Sequence, residues 1–161
     1  MIMSKRAFLG GSLAAFFGAS GCAQKAAEET AETFEITKTP EQWRAILKPE
    51  QYAVLREANT EPSSSSPLNA EHRHGVFNCA GCALPLYSSE AKFESGTGWP
   101  SFTAPLANAV RTKPDKGLFS TRTEVHCRRC GGHIGHVFDD GPPPTGKRFC
   151  MNGAAMTFTA A

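Results

Sequence analysis

The sequence contains no apolar run long enough to cross a bilayer as a helix of the mature chain. It also lacks a long basic block. The adjacent basic pairs are Lys5–Arg6, Arg128–Arg129 and Lys147–Arg148, and the formal net charge is +2, so nucleic acid is not an expected partner. No internal repeat is visible beyond a paired cysteine motif. Apolar residues make up 40% of the chain, slightly under the usual share. Two stretches look unable to join a core: the first 30 or so residues, and the serine run Ser63–Ser66. The core left over is small enough that a metal or disulfide staple is expected to help.

Residues 1–22 read as an export signal. Lys5 and Arg6 form a charged start, Ala7–Phe17 a short apolar stretch, and Ala19-Ser20-Gly21 a run of small residues before Cys22. Ser4-Lys5-Arg6-Ala7-Phe8-Leu9 resembles a twin-arginine motif with lysine in the first basic position. The small residues before Cys22 resemble a lipoprotein processing site, although Ala19 stands where leucine is more usual. The expectation is an exported, periplasmic protein with Cys22 as a candidate lipid anchor. Residues 23–33 are rich in Ala, Glu and Thr and suit a solvated tether. Residues 34–161 are left as the domain.

That domain opens with helix signals. Thr39 can cap, Pro40 fits a first turn, and Gln42 completes a capping box. Trp43, Ile46 and Leu47 follow at helical spacing. Pro49 ends this helix and opens a second with Tyr52, Val54 and Leu55. From Glu57 to Pro67 the chain is polar and reads as a long loop. Beyond Gly75 the pattern changes to short β-branched or aromatic runs: Val76–Phe77, Thr121–Val125, Ile134–Phe138 and Lys147–Asn152. Gly96–Pro100 and Asp140–Gly146 read as turns or loops.

Cys79-Ala80-Gly81-Cys82 and Cys127-Arg128-Arg129-Cys130 are two CxxC units, with 44 residues between Cys82 and Cys127. Each can form a tight knuckle, and two knuckles offer four thiolates in a tetrahedron, the geometry of a structural zinc site. Export would place them in an oxidising compartment, so disulfides are the competing reading, and a redox-active CxxC is another.

With four cysteines so grouped and Cys22 in the leader, Cys150 stands alone in Lys147-Arg148-Phe149-Cys150-Met151-Asn152. On a strand, Arg148, Cys150 and Asn152 share one face, and Phe149 and Met151 the other. A cation beside a thiol favours the reactive thiolate. The bland alternative is a buried, inert cysteine. His133 and His136 are three apart with Gly135 between them, and His136 shares a face with Phe138. Histidines can donate protons near neutral pH. Trp99, held between Gly98 and Pro100, is either core or the aromatic wall of a pocket. His72, His74 and His126 sit in polar or loop contexts and receive no role.

Four segments occur in order: Phe93–Phe102, Thr121–Val125, Gly135–Pro142 and Arg148–Asn152. Together they resemble the methionine-R-sulfoxide reductase B family, in its zinc-containing branch, over about Phe34 to Phe158. The resemblance implies a mainly β fold of two antiparallel sheets with short N-terminal helices. It implies one structural zinc ion per chain on Cys79, Cys82, Cys127 and Cys130. It implies reduction of the R epimer of peptide-bound methionine sulfoxide, a repair of oxidised proteins, by an oxidoreductase acting as a monomer. Cys150 is the implied nucleophile, with His133, His136 and Asn152 in the catalytic pocket. Trp99, Phe138 and Arg148 are implied on the substrate side. Attack leaves Cys150 as a sulfenic acid, to be re-reduced by a thioredoxin-like donor. There are two departures. Thr97 stands where many members carry a second, resolving cysteine, and Gly153–Met156 replaces a serine-containing stretch. Rival readings are a zinc-ribbon nucleic-acid binder, a disulfide-stapled exported domain and a cysteine hydrolase.

Overall fold

A computed structural model describes residues 32–117 and 121–161 of the 161-residue chain. The leader, Cys22 and residues 23–31 of the tether lie outside the described residues.

Both N-terminal helices form where their caps predict. Helix α1 covers Pro40–Ile46: the Gln42 amide N–H donates to Thr39 Oγ1 and the Thr39 N–H donates to Gln42 Oε1, so two orphan donors of the first turn are satisfied. Helix α2 covers Pro49–Glu57 and stops at Ala58, whose left-handed φ of 53° turns the chain out into the following segment. Trp43, Leu47, Val54 and Leu55 are buried between the helices and the sheets. Ile46, expected among them, is instead 57% exposed, because this seven-residue helix buries only its Trp43–Leu47 side. No helix among the described residues is long and apolar enough to cross a membrane.

Nine strands follow among the described residues: β1 Gly75–Cys79, β2 Pro85–Ser88, β3 Lys92–Phe93, β4 Ser101–Phe102, β5 Val110–Lys116, β6 Thr121–Cys127, β7 His133–Phe138, β8 Arg148–Met151 and β9 Met156–Ala160. They make two antiparallel sheets, one ordered β2-β1-β9 and one ordered β3-β4-β8-β7-β6-β5. The fold is therefore mainly β with short N-terminal helices, as the sequence implied.

The core lies between the sheets. Phe77 and Tyr87 of the small sheet meet Phe102 of the large one, with ring centroids 5.0 and 4.3 Å apart. Val125, Ile134 and Met151 complete this layer, fully buried. Each such side chain contributes about 1.5–3 kcal/mol by leaving water. The Tyr87 hydroxyl finds its partner inside, donating to Met151 Sδ at 3.0 Å. The opposite face of the large sheet carries polar side chains, and the candidate site lies there.

Candidate active site and metal centre

The two CxxC units fold as matched knuckles. In the first, the Ala83 N–H donates to Cys79 O at 2.8 Å and the Cys79 N–H to Leu84 O at 2.9 Å. In the second, Gly131 donates to Cys127 O at 2.9 Å and Cys127 to Gly132 O at 2.8 Å. The residue after each second cysteine is left-handed: Ala83 at φ 56° and Gly131 at 67°. One knuckle caps β1 and the other caps β6, so the pair joins the two sheets.

All four sulfurs lie within 4.8 Å of one another, with Cys79–Cys130 at 3.7 Å and Cys82–Cys127 at 3.5 Å. A tetrahedral ion with metal–sulfur bonds of about 2.3 Å needs sulfur–sulfur edges of about 3.8 Å, which this set matches. Contact with Cys127 pushes the Cys79 and Cys130 thiols well up, while donation from Cys130 pulls Cys127 well down. Four sulfurs so close, three of them on buried cysteines, share protons awkwardly, and a divalent cation would resolve that conflict. The helices clamp this centre. Arg56 donates from both terminal nitrogens to Cys130 O at 3.2 Å, and its guanidinium lies 4.6 Å from the Trp43 ring centre.

Strand register assembles the second site. Across β7 and β8, His136 is the direct partner of Cys150, and Phe138 of Arg148. Cys150 also pairs with Ser101 of β4. Residues two apart on a strand share a face, so Cys150, Arg148, His136 and Phe138 stand together. Gly135 permits this approach, because a Cβ there would lie 2.2 Å from Cys150 O.

His133 and His136, three apart, would fall on opposite faces of a regular strand. A bulge prevents that: Val125 pairs with Gly135 but His126 pairs with His133, leaving Ile134 as the extra residue. The imidazole centroids are consequently 5.3 Å apart. The carbonyl of Ile134, freed from the ladder, accepts both the backbone N–H and the side-chain Nδ2 of Asn152, at 2.9 and 3.0 Å.

Each histidine is held by a carboxylate: His136 Nε2 by Asp115 Oδ2 at 2.8 Å, and His133 Nδ1 by Glu124 Oε1 at 3.0 Å. Asp115 Oδ2 also accepts from Arg122 at 2.8 Å. Burial lowers the pKa of His136, and the Asp115 hydrogen bond brings it part of the way back. Arg148 is paired through two nitrogens with Asp140 at 2.8 Å, and its guanidinium lies 4.5 Å from the Phe138 ring centre.

A cavity of about 150 Å³ opens over this face, lined by Thr60, Trp99, Arg122, Gly135, His136, Phe138, Cys150 and Asn152. Thus Cys150, His136, Asn152, Trp99 and Phe138 are brought together on it. His133 and Arg148 are not among its lining residues; the His133 ring lies 5.3 Å from that of His136, and the Arg148 guanidinium 4.5 Å from that of Phe138. Cys150 is half-buried, and Thr97 Oγ1 lies 3.8 Å from its sulfur. The Thr97 hydroxyl is backed by Ser95 at 2.9 Å, which meets Ser101 at 2.7 Å. The volume is below the roughly 300–1,000 Å³ of pockets for whole small molecules, and suits a single side chain presented from outside. A larger cleft of about 870 Å³ lies between α2, β9 and the segment after α2, but no cysteine or histidine lines it.

Sequence reasoning missed Thr60, Glu61, Asp115 and Arg122. Thr60 and Glu61 sit in what reads as plain polar loop. Asp115 and Arg122 lie on β5 and β6, on the face shared with His136, a relationship visible only once register is known. His126, which reads as a polar or loop residue, is 1% exposed on β6, with its ring edge against Phe34 at 5.9 Å.

A half-buried thiol opposite a carboxylate-held imidazole, over a side-chain-sized cavity, on two sheets joined by a four-sulfur centre, defines a thiol-dependent enzyme domain. Comparison with known proteins gives the family. The SelR domain model matches residues 47–160. The chain is 53% identical over 122 residues to the peptide methionine sulfoxide reductase MsrB of Thiobacillus denitrificans, covering 75% of this chain and 92% of that protein. It is 50% identical over 124 residues to the MsrB of Methanosarcina barkeri, covering 76% and 87%. It is 51% identical over 123 residues to that of Bradyrhizobium diazoefficiens, covering 76% and 88%. The chain belongs to the SelR-domain family of MsrB peptide methionine sulfoxide reductases.

Proposed function

We propose that this protein reduces the R epimer of methionine sulfoxide in oxidised proteins and peptides, with Cys150 as nucleophile. The observation that carries this is the β7–β8 register, which sets His136 directly across from Cys150 at the floor of a cavity walled by Trp99, Phe138 and Asn152.

The chemistry follows from these groups. Sulfoxide sulfur is electrophilic, but its oxygen leaves only when protonated. The Cys150 thiolate attacks the sulfur while a proton passes to the oxygen. With Nε2 committed to Asp115, Nδ1 of His136 is the nitrogen that exchanges this proton, and Asn152 donates a hydrogen bond to the same oxygen. Methionine sulfur gains two electrons, Cys150 loses two, and the oxygen ends on Cys150 as a sulfenic acid. Trp99 and Phe138 seat the S-methyl group. Arg148 keeps positive charge beside the thiolate while anchored by Asp140. The fixed arrangement of methyl seat, oxygen seat and attacking sulfur gives the pocket one handedness.

Zinc is the ion best matched to the four cysteines. A closed four-sulfur site leaves no coordination position for water, so its contribution is to hold β1 and β6 together. An external dithiol of thioredoxin type completes the cycle: the first thiol displaces water from the sulfenic acid, and the second resolves the mixed disulfide. The leader features of residues 1–22 support a location outside the cytoplasm, with Cys22 as the candidate tether. Cell fractionation of wild type and Cys22→Ala tests the location. Turnover on resolved R and S sulfoxide peptides tests the activity.

A further inference from the structure

One residue that enters none of these chemical steps is hydrogen-bonded to two of the walls of the cavity, Asn152 and Trp99. Glu61 lies in the segment between α2 and the 3-10 turn Pro67–Ala70. Its backbone N–H donates to Asn152 Oδ1 at 3.0 Å, and its backbone carbonyl accepts the Trp99 indole N–H at 3.1 Å. Its carboxylate accepts the backbone N–H groups of Gly153 and Ala154, at 2.6 and 2.7 Å, one from each oxygen. Two neighbours fasten the same segment to the Trp99 turn: Ser63 Oγ donates to Thr97 O at 3.0 Å and the Ser64 N–H to Gly98 O at 2.7 Å.

The consequence lies in Asn152. Its side-chain amide has one acceptor oxygen and two N–H hydrogens. Ile134 O takes one hydrogen, and the Glu61 N–H occupies the oxygen. What remains for the cavity is a single N–H, which suits a sulfoxide oxygen. A rotated amide would present its own oxygen there and repel the substrate. The Glu61 carbonyl meanwhile holds the indole that walls the cavity. The distance between the oxygen seat and the methyl seat therefore passes through the backbone of one residue, and the Glu61 carboxylate pins that residue to the chain just beyond Asn152. Hydrogen bonds to a charged acceptor are the stronger kind, so this anchor is firm although the residue is only half-buried.

We propose that Glu61 is the positioning residue of the substrate pocket: it fixes the amide orientation of Asn152 and the placement of Trp99, and through them the stereochemical preference of the enzyme. The proposal rests on the reductase reading above. Loss of the anchor shifts groups in the pocket without removing any of them. The cost then appears in turnover and epimer discrimination rather than in folding.

The test uses the full chain with its metal bound, in wild type, Glu61→Gln, Glu61→Ala, Asn152→Ala and the Glu61→Ala/Asn152→Ala double variant. Assays use R and S sulfoxide peptides. Melting temperature and zinc content are recorded beside them. In a Trp43→Phe background, Trp99 is the single tryptophan and its emission reports its surroundings. Glu61→Ala is expected to lower kcat/KM for the R epimer on the order of ten- to hundredfold and to narrow the R-over-S ratio, with red-shifted Trp99 emission. Glu61→Gln, which keeps one acceptor oxygen, falls between. In the Asn152→Ala background the Glu61→Ala loss shrinks, because the part exerted through Asn152 is already gone. Wild-type epimer preference in a folded, zinc-loaded Glu61 variant overturns the proposal, as does full additivity with Asn152→Ala. If Glu61→Ala does not fold, Glu61→Gln decides by the same criteria. A wild-type enzyme that reduces neither epimer overturns the reductase reading itself, and this proposal with it.

Discussion

The hydroxyl of Thr97 lies 3.8 Å from the sulfur of Cys150, so a cysteine in place of Thr97 would stand within reach of it. The other cysteines among the described residues are the four of the CxxC cluster. One equivalent of substrate without reductant is therefore expected to release one methionine and leave Cys150 as a sulfenic acid, which a dimedone-type reagent labels. Thr97→Cys is expected to convert this product to a disulfide between the introduced thiol and Cys150, with release of water, and to block labelling. Peptide mapping checks both. A disulfide between Cys150 and a CxxC cysteine in the wild-type product, with release of metal, contradicts this account.

Acid sensitivity follows from the histidine–carboxylate pairs. Burial lowers His136 below its ordinary 6.5. Asp115 is lowered from 3.8, first by His136 and then by Arg122, and Glu124 is lowered from 4.5 chiefly by His133, against its own burial. All three folded values lie below the unfolded ones. The stability they contribute is thus fully present above the unfolded pKa and is lost as pH falls through the folded one. The melting temperature is expected to hold above about pH 6.5, to fall first as His136 protonates, and to fall again below about pH 4. Asp115→Asn removes the contact that raises His136, so the decline of kcat with rising pH is expected to move to lower pH. An unchanged pH profile in that variant would remove His136 from the proton transfer.

The metal centre makes a separate prediction. Serine at any one of Cys79, Cys82, Cys127 or Cys130 is expected to lose the ion and lower the melting temperature by about 10 °C or more, since a ligand bound only by the folded state is folding free energy. Elemental analysis and calorimetry check this. Full-length wild-type protein with no metal and two disulfides within the CxxC set would refute the zinc assignment.

Gly135 makes a fourth. A methyl group there meets the Cys150 carbonyl at 2.2 Å, which is backbone and cannot swing aside. Gly135→Ala is expected to cost about 1–3 kcal/mol of stability and to part His136 from Cys150, lowering kcat more than it raises KM. Denaturant melts and steady-state kinetics measure both.

Much of this was legible in the residues. The α1 capping box, the proline that opens α2, the CxxC pairs and the strands around His136 and Cys150 each carry a local signal that the fold respects. Other elements carry none. Strand β5, Val110–Lys116, is polar and contains Pro114, which an edge strand tolerates; no alternation marks it. Strand β2 buries both Leu86 and Tyr87, so its apolar residues are adjacent and do not alternate. Strand β9, Met156–Ala160, does alternate, but it lies beyond Lys147–Asn152, the last run read as a strand. The bulge at Ile134 decides that His133 and His136 share a face, and it is defined by the pairing with β6, which the residues of β7 do not show by themselves. Glu61 was hidden for a similar reason: its partners lie 91 to 93 residues away at Asn152, Gly153 and Ala154.

The central claim is tested most directly by turnover of resolved R and S methionine sulfoxide peptides by the zinc-loaded wild type and by Cys150→Ser. The wild type is expected to consume the R epimer and leave the S epimer. Cys150→Ser is expected to lose turnover on the order of ten-thousandfold or more, with zinc content and melting temperature unchanged, because a hydroxyl is a far weaker nucleophile than a thiolate. Appreciable R-epimer reduction by Cys150→Ser, or a preference for the S epimer in the wild type, would contradict the account.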